Sequence, residues 1–400
     1  MTLHQRPPAV LVLDDGRTLT GRAYGAEGST TGEAVFVTSM TGYQEILTDP
    51  SFRRQIVIQT MPHIGNTGVN DADDESRDIW AAGYVVRDAA RRRSNWRATG
   101  DLEARLAERG IVGITDIDTR ALTRHLRDKG AMRAGIFSGP AAERPAAELL
   151  AEVQATAPMA GSHLSAEVTV AEPYTIPAVG EKKHSIVAYD LGIKTTTLDQ
   201  FAARGIETTV VPEDFTFEQL SELRPDGVFF SNGPGDPATA ANAIAVLRQV
   251  LEAKIPFFGI CLGNQLLGRA LGFETYKLPF GHRGSNQPVL DTANGRVHIT
   301  TQNHGFAVDA PLREVVTAPA GEHLGRVAVS YIGLNDQVVE GLRCLDIPAF
   351  SVQFHPESAA GPHDARDLFD RFIELLDGAA GVTPSIETTT AQTEGDTANA

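Results

Sequence analysis

Ile255-Pro-Phe-Phe-Gly-Ile-Cys-Leu-Gly-Asn-Gln-Leu-Leu-Gly268 is the stretch that decides how this chain is read. A short apolar run leads into Cys261 and an amphipathic run leaves it, which predicts a strand, a sharp turn and a helix with the thiol at the turn. Gly259 and Gly263 flank the cysteine, where a tight bend leaves no room for bulk. The helix that follows aims its N-terminal amides at the sulfur and favours negative charge there. A lone cysteine after a strand is more often a small core residue. The elbow setting makes Cys261 a candidate nucleophile, provided the chain also supplies a base and a group to orient it.

Ala349-Phe-Ser-Val-Gln-Phe-His-Pro-Glu-Ser358 supplies both. Phe350, Val352 and Phe354 alternate with smaller or polar residues, so the segment predicts a strand. His355 and Glu357 are two apart and share a side where the chain is extended, and Pro356 favours that extension. The arrangement suits a relay in which His355 takes the thiol proton and Glu357 holds the imidazole tautomer. Gln265 lies one helical turn beyond Cys261 and shares its face, within reach of a substrate.

Gly259-Ile-Cys-Leu-Gly-Asn-Gln265 with Phe354-His-Pro-Glu357 resembles the class I (triad) glutamine amidotransferase domain, and Ser231-Asn-Gly-Pro-Gly-Asp-Pro237 is similar to that family's glycine loop. Those motifs alone leave several synthetases open, including the amidotransferase components of anthranilate and guanylate synthesis. Thr38-Ser-Met-Thr-Gly-Tyr-Gln-Glu-Ile-Leu-Thr-Asp-Pro50, Pro62-His-Ile-Gly-Asn66 and Asp116-Ile-Asp-Thr-Arg120 narrow the match, because they resemble the small, glutamine-hydrolysing subunit of carbamoyl-phosphate synthase. The resemblance implies hydrolysis of glutamine by Cys261, His355 and Glu357. It implies delivery of ammonia to a large synthetase subunit that makes carbamoyl phosphate from bicarbonate and ATP, for arginine and pyrimidine biosynthesis. It also implies a glutamine pocket formed by Ser39, Gly233, Gly235, Leu262, Gln265, Asn303, Gly305 and Phe306, with the Gly233 and Leu262 amides as the oxyanion hole. It places no cofactor or metal in this chain, and ATP and metal in the large partner. Asn264 departs from the histidine of several relatives and is expected to face away from the triad.

Composition agrees with such a protein. Four hundred residues, 42% hydrophobic, predict two domains with sizeable cores. A formal net charge of −16 argues against nucleic-acid or anionic-membrane surfaces. Two cysteines give no disulfide framework. The start lacks the apolar core of a signal peptide, and no run reaches membrane-spanning length, so a cytoplasmic location is expected.

The pattern predicts an α/β chain in four parts. Residues 1–140 read as a mixed α/β domain, strands first and helices later, and 141–183 as a structured connector with one helix. Residues 184–380 alternate strand and helix, which predicts a doubly wound, mostly parallel, flavodoxin-like sheet. Residues 381–400 lack periodicity and read as a disordered tail. Gln302-Asn-His-Gly-Phe306 reads as a polar loop, in which His304 is more a structural residue than an extra base. Asp71-Ala-Asp-Asp-Glu75 lacks the spacing of a metal loop and reads as a solvated acidic turn. Gly192 and Lys194 resemble a nucleotide loop only loosely, without a Walker pattern.

Overall fold

A computed structural model describes residues 6–379, so the tail expected at 381–400 lies outside the described residues. Strands Pro8–Leu13, Thr18–Gly25, Ser29–Val37 and Gln55–Gln59 form where alternation and β-branched residues predict them. They do not stay an open sheet. The first strand also pairs antiparallel with Met132–Ser138, from Ala9 opposite Ser138 to Leu13 opposite Ala134, and so closes a seven-stranded barrel. Its interior is filled by Leu11, Leu13, Ile56, Ile58, Ile114 and Ile136. Helix Thr119–Lys129 packs Leu122 and Leu126, four apart on one face, against that core. Asp118 caps it by accepting from Ala121 N at 3.0 Å, and Gly130 ends it at a positive φ.

The second sheet has eleven strands. Its centre is parallel, in the order Ile206–Pro212, His184–Asp190, Gly227–Phe230, Phe257–Ile260 and Ala349–Val352. Successive residues feed opposite cores. Val228, Phe230 and Phe257 pack with helices Ala241–Glu252 and Leu262–Leu271, whereas Phe229 and Phe258 pack with Leu198, Phe201, Phe369 and Phe372 of the helices on the other face. This is the doubly wound arrangement expected from the sequence. Beyond Ala349–Val352 the sheet continues antiparallel through Val339–Cys344, Arg326–Gly333 and the long hairpin Glu274–Asp291 with Val297–Asp309.

That hairpin corrects one expectation. Residues 302–306 are not a loop; they lie inside strand Val297–Asp309. Gln302, Asn303 and His304 are all buried, so both faces of the strand are covered there and the apolar alternation that marks a strand is missing.

The barrel meets the sheet through polar contacts centred on two carboxylates. Asp49 accepts from Ser51 N at 2.9 Å, from Asn232 Nδ2 at 3.3 Å and from Asn303 Nδ2 at 2.8 Å. Glu75 accepts from Thr196 Oγ1 at 2.7 Å and Thr196 N at 3.3 Å, at the start of helix Thr195–Ala202, where a helix end favours negative charge. The acidic run is therefore not a solvated turn. Glu75 is buried, Asp73 pairs with Arg97, and Asp74 pairs with Arg105. Asp49→Ala leaves the Asn303 amide without its acceptor and weakens the hold on Asn232. A loss of about 1–3 kcal/mol is expected, read as a lower midpoint in urea unfolding, and an unchanged midpoint would refute the clamp.

Candidate active site

Cys261 occupies the bend between strand Phe257–Ile260 and helix Leu262–Leu271, at φ 54° and ψ −100°. A non-glycine residue in this region persists only where its surroundings hold it. Here Cys261 N donates to Val352 O at 2.8 Å, while Asn264 N and Gln265 N donate to Cys261 O at 3.1 and 3.2 Å. The next turn packs so tightly that a β-carbon on Gly263 would lie 2.3 Å from Phe230 O. The elbow thus depends on the absence of a side chain at 263. The Cys261 sulfur is buried and donates to Asn303 O at 3.5 Å.

His355 and Glu357 do share a side of the chain: His355 Nδ1 lies 2.7 Å from Glu357 Oε1. Lys194 joins them, its Nζ donating to the same carboxylate oxygen at 2.9 Å. Burial opposes charge on Glu357, yet the Lys194 ammonium and the imidazole outweigh it and hold the carboxyl well below the usual range. Burial likewise opposes charge on His355, and Glu357 with the nearby Cys261 sulfur raises its pKa all the same. The outer ring nitrogen, Nε2, has no hydrogen-bond partner among the described residues.

Gly233, Gly235, Gln265, Asn303, Gly305 and Phe306 line one pocket with Cys261, joined by Ser51 and Gln55 from the barrel and Met159 from the connector. Ser39 does not line it. It lies with His355, Lys194, Asp49 and Asn303 around the adjoining cavity, bonded to Ser285 at 2.7 Å. Leu262 buries its side chain in the core and can offer the pocket only its backbone. Neither the Gly233 amide nor the Leu262 amide donates within the described residues. Two side chains are already committed: Gln265 Nε2 donates to Phe306 O at 3.0 Å and Gln353 Oε1 at 3.1 Å, and Asn303 Nδ2 is held by Asp49. Asn264 bonds to Ser351 and Gln353 and is not among the residues lining the pocket.

Three residues went unread in the sequence. Lys194 reads in sequence only as part of a loose nucleotide-loop resemblance, although it follows the carboxyl end of a parallel strand, where open sheets place their sites. Asp49 lies within the Thr38–Pro50 motif, where no local pattern marks it as the acceptor for Asn232 and Asn303. Arg283 carried no signal at all, yet it lines the Cys261 pocket, is 4% exposed, forms no ion pair among the described residues and leaves Nε unpartnered.

A doubly wound sheet with a cysteine at its strand-to-helix elbow is the form of a glutamine amidotransferase domain, and the model of the class-I glutamine amidotransferase family matches residues 187–375. The model of the carbamoyl-phosphate synthase small chain, CPSase domain, matches residues 11–136. The carbamoyl phosphate synthase small chain of Streptomyces coelicolor is 61% identical over 373 residues, covering 93% of this chain and 97% of that one. That of Bifidobacterium longum is 58% identical over 387 residues, 94% and 95% covered, and that of Mycobacterium tuberculosis 56% over 375, 92% and 98% covered. The chain belongs to the carbamoyl phosphate synthase small chain family. Among the described residues no helix is long and apolar enough to cross a membrane.

The buried row of Lys194, Glu357 and His355 yields a signed expectation. A carboxyl with a depressed folded pKa contributes stability above the ordinary glutamate value, near pH 4, and loses it as pH falls towards the folded value. Lys194→Met removes the first cause of that depression. It is expected to cost about 3–5 kcal/mol at neutral pH and to move acid unfolding to higher pH. Identical acid-unfolding curves for parent and variant would show that Lys194 does not hold Glu357.

Proposed function

We propose that this chain is the glutamine-hydrolysing subunit of a carbamoyl-phosphate synthase and that Cys261, His355 and Glu357 are its catalytic triad. The observation that carries the reading is the convergence on one elbow of a buried thiol, a histidine fixed by Glu357 and two uncommitted amides. His355 takes the thiol proton. The sulfur attacks the side-chain carboxamide of glutamine, and the developing alkoxide is met by the Gly233 and Leu262 amides. His355 returns the proton to the nitrogen, ammonia leaves, and a thioester remains on Cys261. A water that gives its proton to His355 then releases glutamate and restores the thiol. Glu357 orients the ring throughout, and Lys194 holds Glu357.

The other end of glutamine needs a partner for its α-carboxylate. Arg283 is suited to it, since burial lowers its pKa and an arriving carboxylate offsets that burden. Gly233, Gly235, Gln265, Asn303, Gly305 and Phe306 shape the pocket, and Ser39 supports it from the barrel. Ammonia goes to a large subunit that supplies the ATP, metal and bicarbonate chemistry, and the product serves arginine and pyrimidine biosynthesis in the cytoplasm. Trp96, 90% exposed on the barrel domain, is a fitting anchor for that subunit.

Cys261→Ser is expected to abolish glutamine-dependent carbamoyl-phosphate synthesis by the complex while ammonia-dependent synthesis persists, and full glutaminase activity in the variant would overturn the assignment. His355→Asn should cost on the order of 10²-fold or more in kcat, and Glu357→Gln less. Arg283→Met should raise KM for glutamine roughly 30-fold, the loss of about 2 kcal/mol from a charge-assisted bond, with a smaller change in kcat. A KM equal to the parent's would remove Arg283 from the pocket's chemistry.

A further inference from the structure

The hairpin that carries Gly305 and Phe306 holds a second cluster. His282 and His304 are cross-strand neighbours on it, and Glu340 approaches from strand Val339–Cys344. Each imidazole has one nitrogen engaged by a group that only accepts: His282 Nε2 lies 2.7 Å from Asp336 Oδ2, and His304 Nδ1 lies 2.8 Å from Phe306 O. Those nitrogens therefore carry the protons, and in neutral rings His282 Nδ1 and His304 Nε2 present lone pairs.

Both lone pairs face oxygens. Gln302 Oε1 is 3.0 Å from each nitrogen, and Glu340 Oε1 is 3.5 Å from His282 Nδ1 and 3.7 Å from His304 Nε2. Glu340 is fully buried, and neither of its oxygens has a hydrogen-bond partner among the described residues. Acceptors converging on one buried point repel one another unless a cation lies between them. Against burial, Asp336 and Glu340 raise the His282 pKa to about 9, so in the empty site a proton on that ring fills the role, at 3.5 Å from Glu340. A metal ion that displaces it would engage both rings and the carboxylate together. Turning the Gln302 amide over would give the nitrogens donors but would still leave both Glu340 oxygens bare.

We propose that His282, His304 and Glu340, with the Gln302 amide oxygen at the fourth corner, bind a divalent transition metal, zinc by the chemistry of the donors. A tetrahedral ion with bonds of about 2.0–2.2 Å sets its ligands about 3.3–3.6 Å apart. The four spacings above bracket that range, and the donor atoms of His282, His304 and Glu340 all lie within 4.8 Å of one another, so binding would draw the set slightly inward. The outer contacts follow the habit of ligating histidines, one ring bonded to a carboxylate and the other to a backbone carbonyl. Two imidazoles disfavour magnesium and calcium, which take oxygen ligands. Asp336 is partly exposed and marks the side from which an ion enters. The ion would tie the hairpin bearing Gly305 and Phe306 to strand Val339–Cys344 and stiffen that wall of the pocket. It takes no part in the proton transfers at Cys261, and the proposal stands apart from the glutaminase reading.

The test uses the full chain carrying Cys261→Ser, so that the elbow thiol does not compete, stripped with a chelator and titrated with Co²⁺ as a visible substitute for zinc. One tetrahedral cobalt spectrum per chain is expected, displaced by Zn²⁺ and untouched by Mg²⁺. Glu340→Gln should abolish it. Asp336→Asn, a change at a partly exposed side chain that leaves folding intact, should weaken binding roughly 10–100-fold. No tetrahedral band, a thiolate charge-transfer band, or cobalt affinity unaltered by Asp336→Asn would overturn the site. Should Glu340→Gln fail to fold, the Asp336→Asn titration decides.

Discussion

One carboxylate oxygen organises the surroundings of the Cys261 elbow. Glu357 Oε1 receives both His355 Nδ1 and Lys194 Nζ, and all three side chains are buried. A carboxylate removed from water is costly unless it is paired and hydrogen-bonded. With Lys194 fixed at the end of the first parallel strand, the position of Glu357 is fixed, and with it the plane and tautomer of His355. The arrangement leaves Nε2 as the ring nitrogen without a partner among the described residues, close to Cys261. The placement of His355 thus follows from balancing charge in a dry interior as much as from the His-Pro-Glu spacing.

The elbow is a second constraint, of steric origin. Cys261 holds an unfavourable backbone conformation because three amide hydrogen bonds and the closeness of Phe230 O to Gly263 allow the chain no other path. Charge balance fixes the imidazole and steric closeness fixes the sulfur, so His355 and Cys261 are set by different physics beyond the ends of neighbouring strands.

What was legible in the sequence was what is local. The strand–cysteine–helix elbow, the His355–Glu357 pair and the alternation of the parallel sheet all lie within short windows whose periodicity states their structure. What was not legible joins distant positions. Lys194 and Glu357 are 163 residues apart, and Asp49 and Asn303 are 254 apart. The barrel escaped for the same reason, since its closure is the pairing of the first strand with one more than a hundred residues later. The strand through Gln302, Asn303 and His304 looked like a loop because its polar side chains are satisfied by partners that no local pattern names. Ser39, placed near the pocket by resemblance, lies beside His355 in the adjoining cavity, which shares Asn303 with the Cys261 pocket.

The split between barrel and sheet bears on modularity. The two parts look separable in sequence, with a connector between them, and one of them carries Cys261, His355 and Glu357. Yet Ser51 and Gln55 form part of the pocket's wall, and Asp49 is what Asn303 rests on. A cut at the connector would yield a sheet that keeps Cys261 and His355 but exposes a pocket open on one side, with buried amides newly turned to water. The barrel is therefore not merely appended but walls part of the pocket beside Cys261, and the chain cannot be shortened to its amidotransferase domain without opening that pocket.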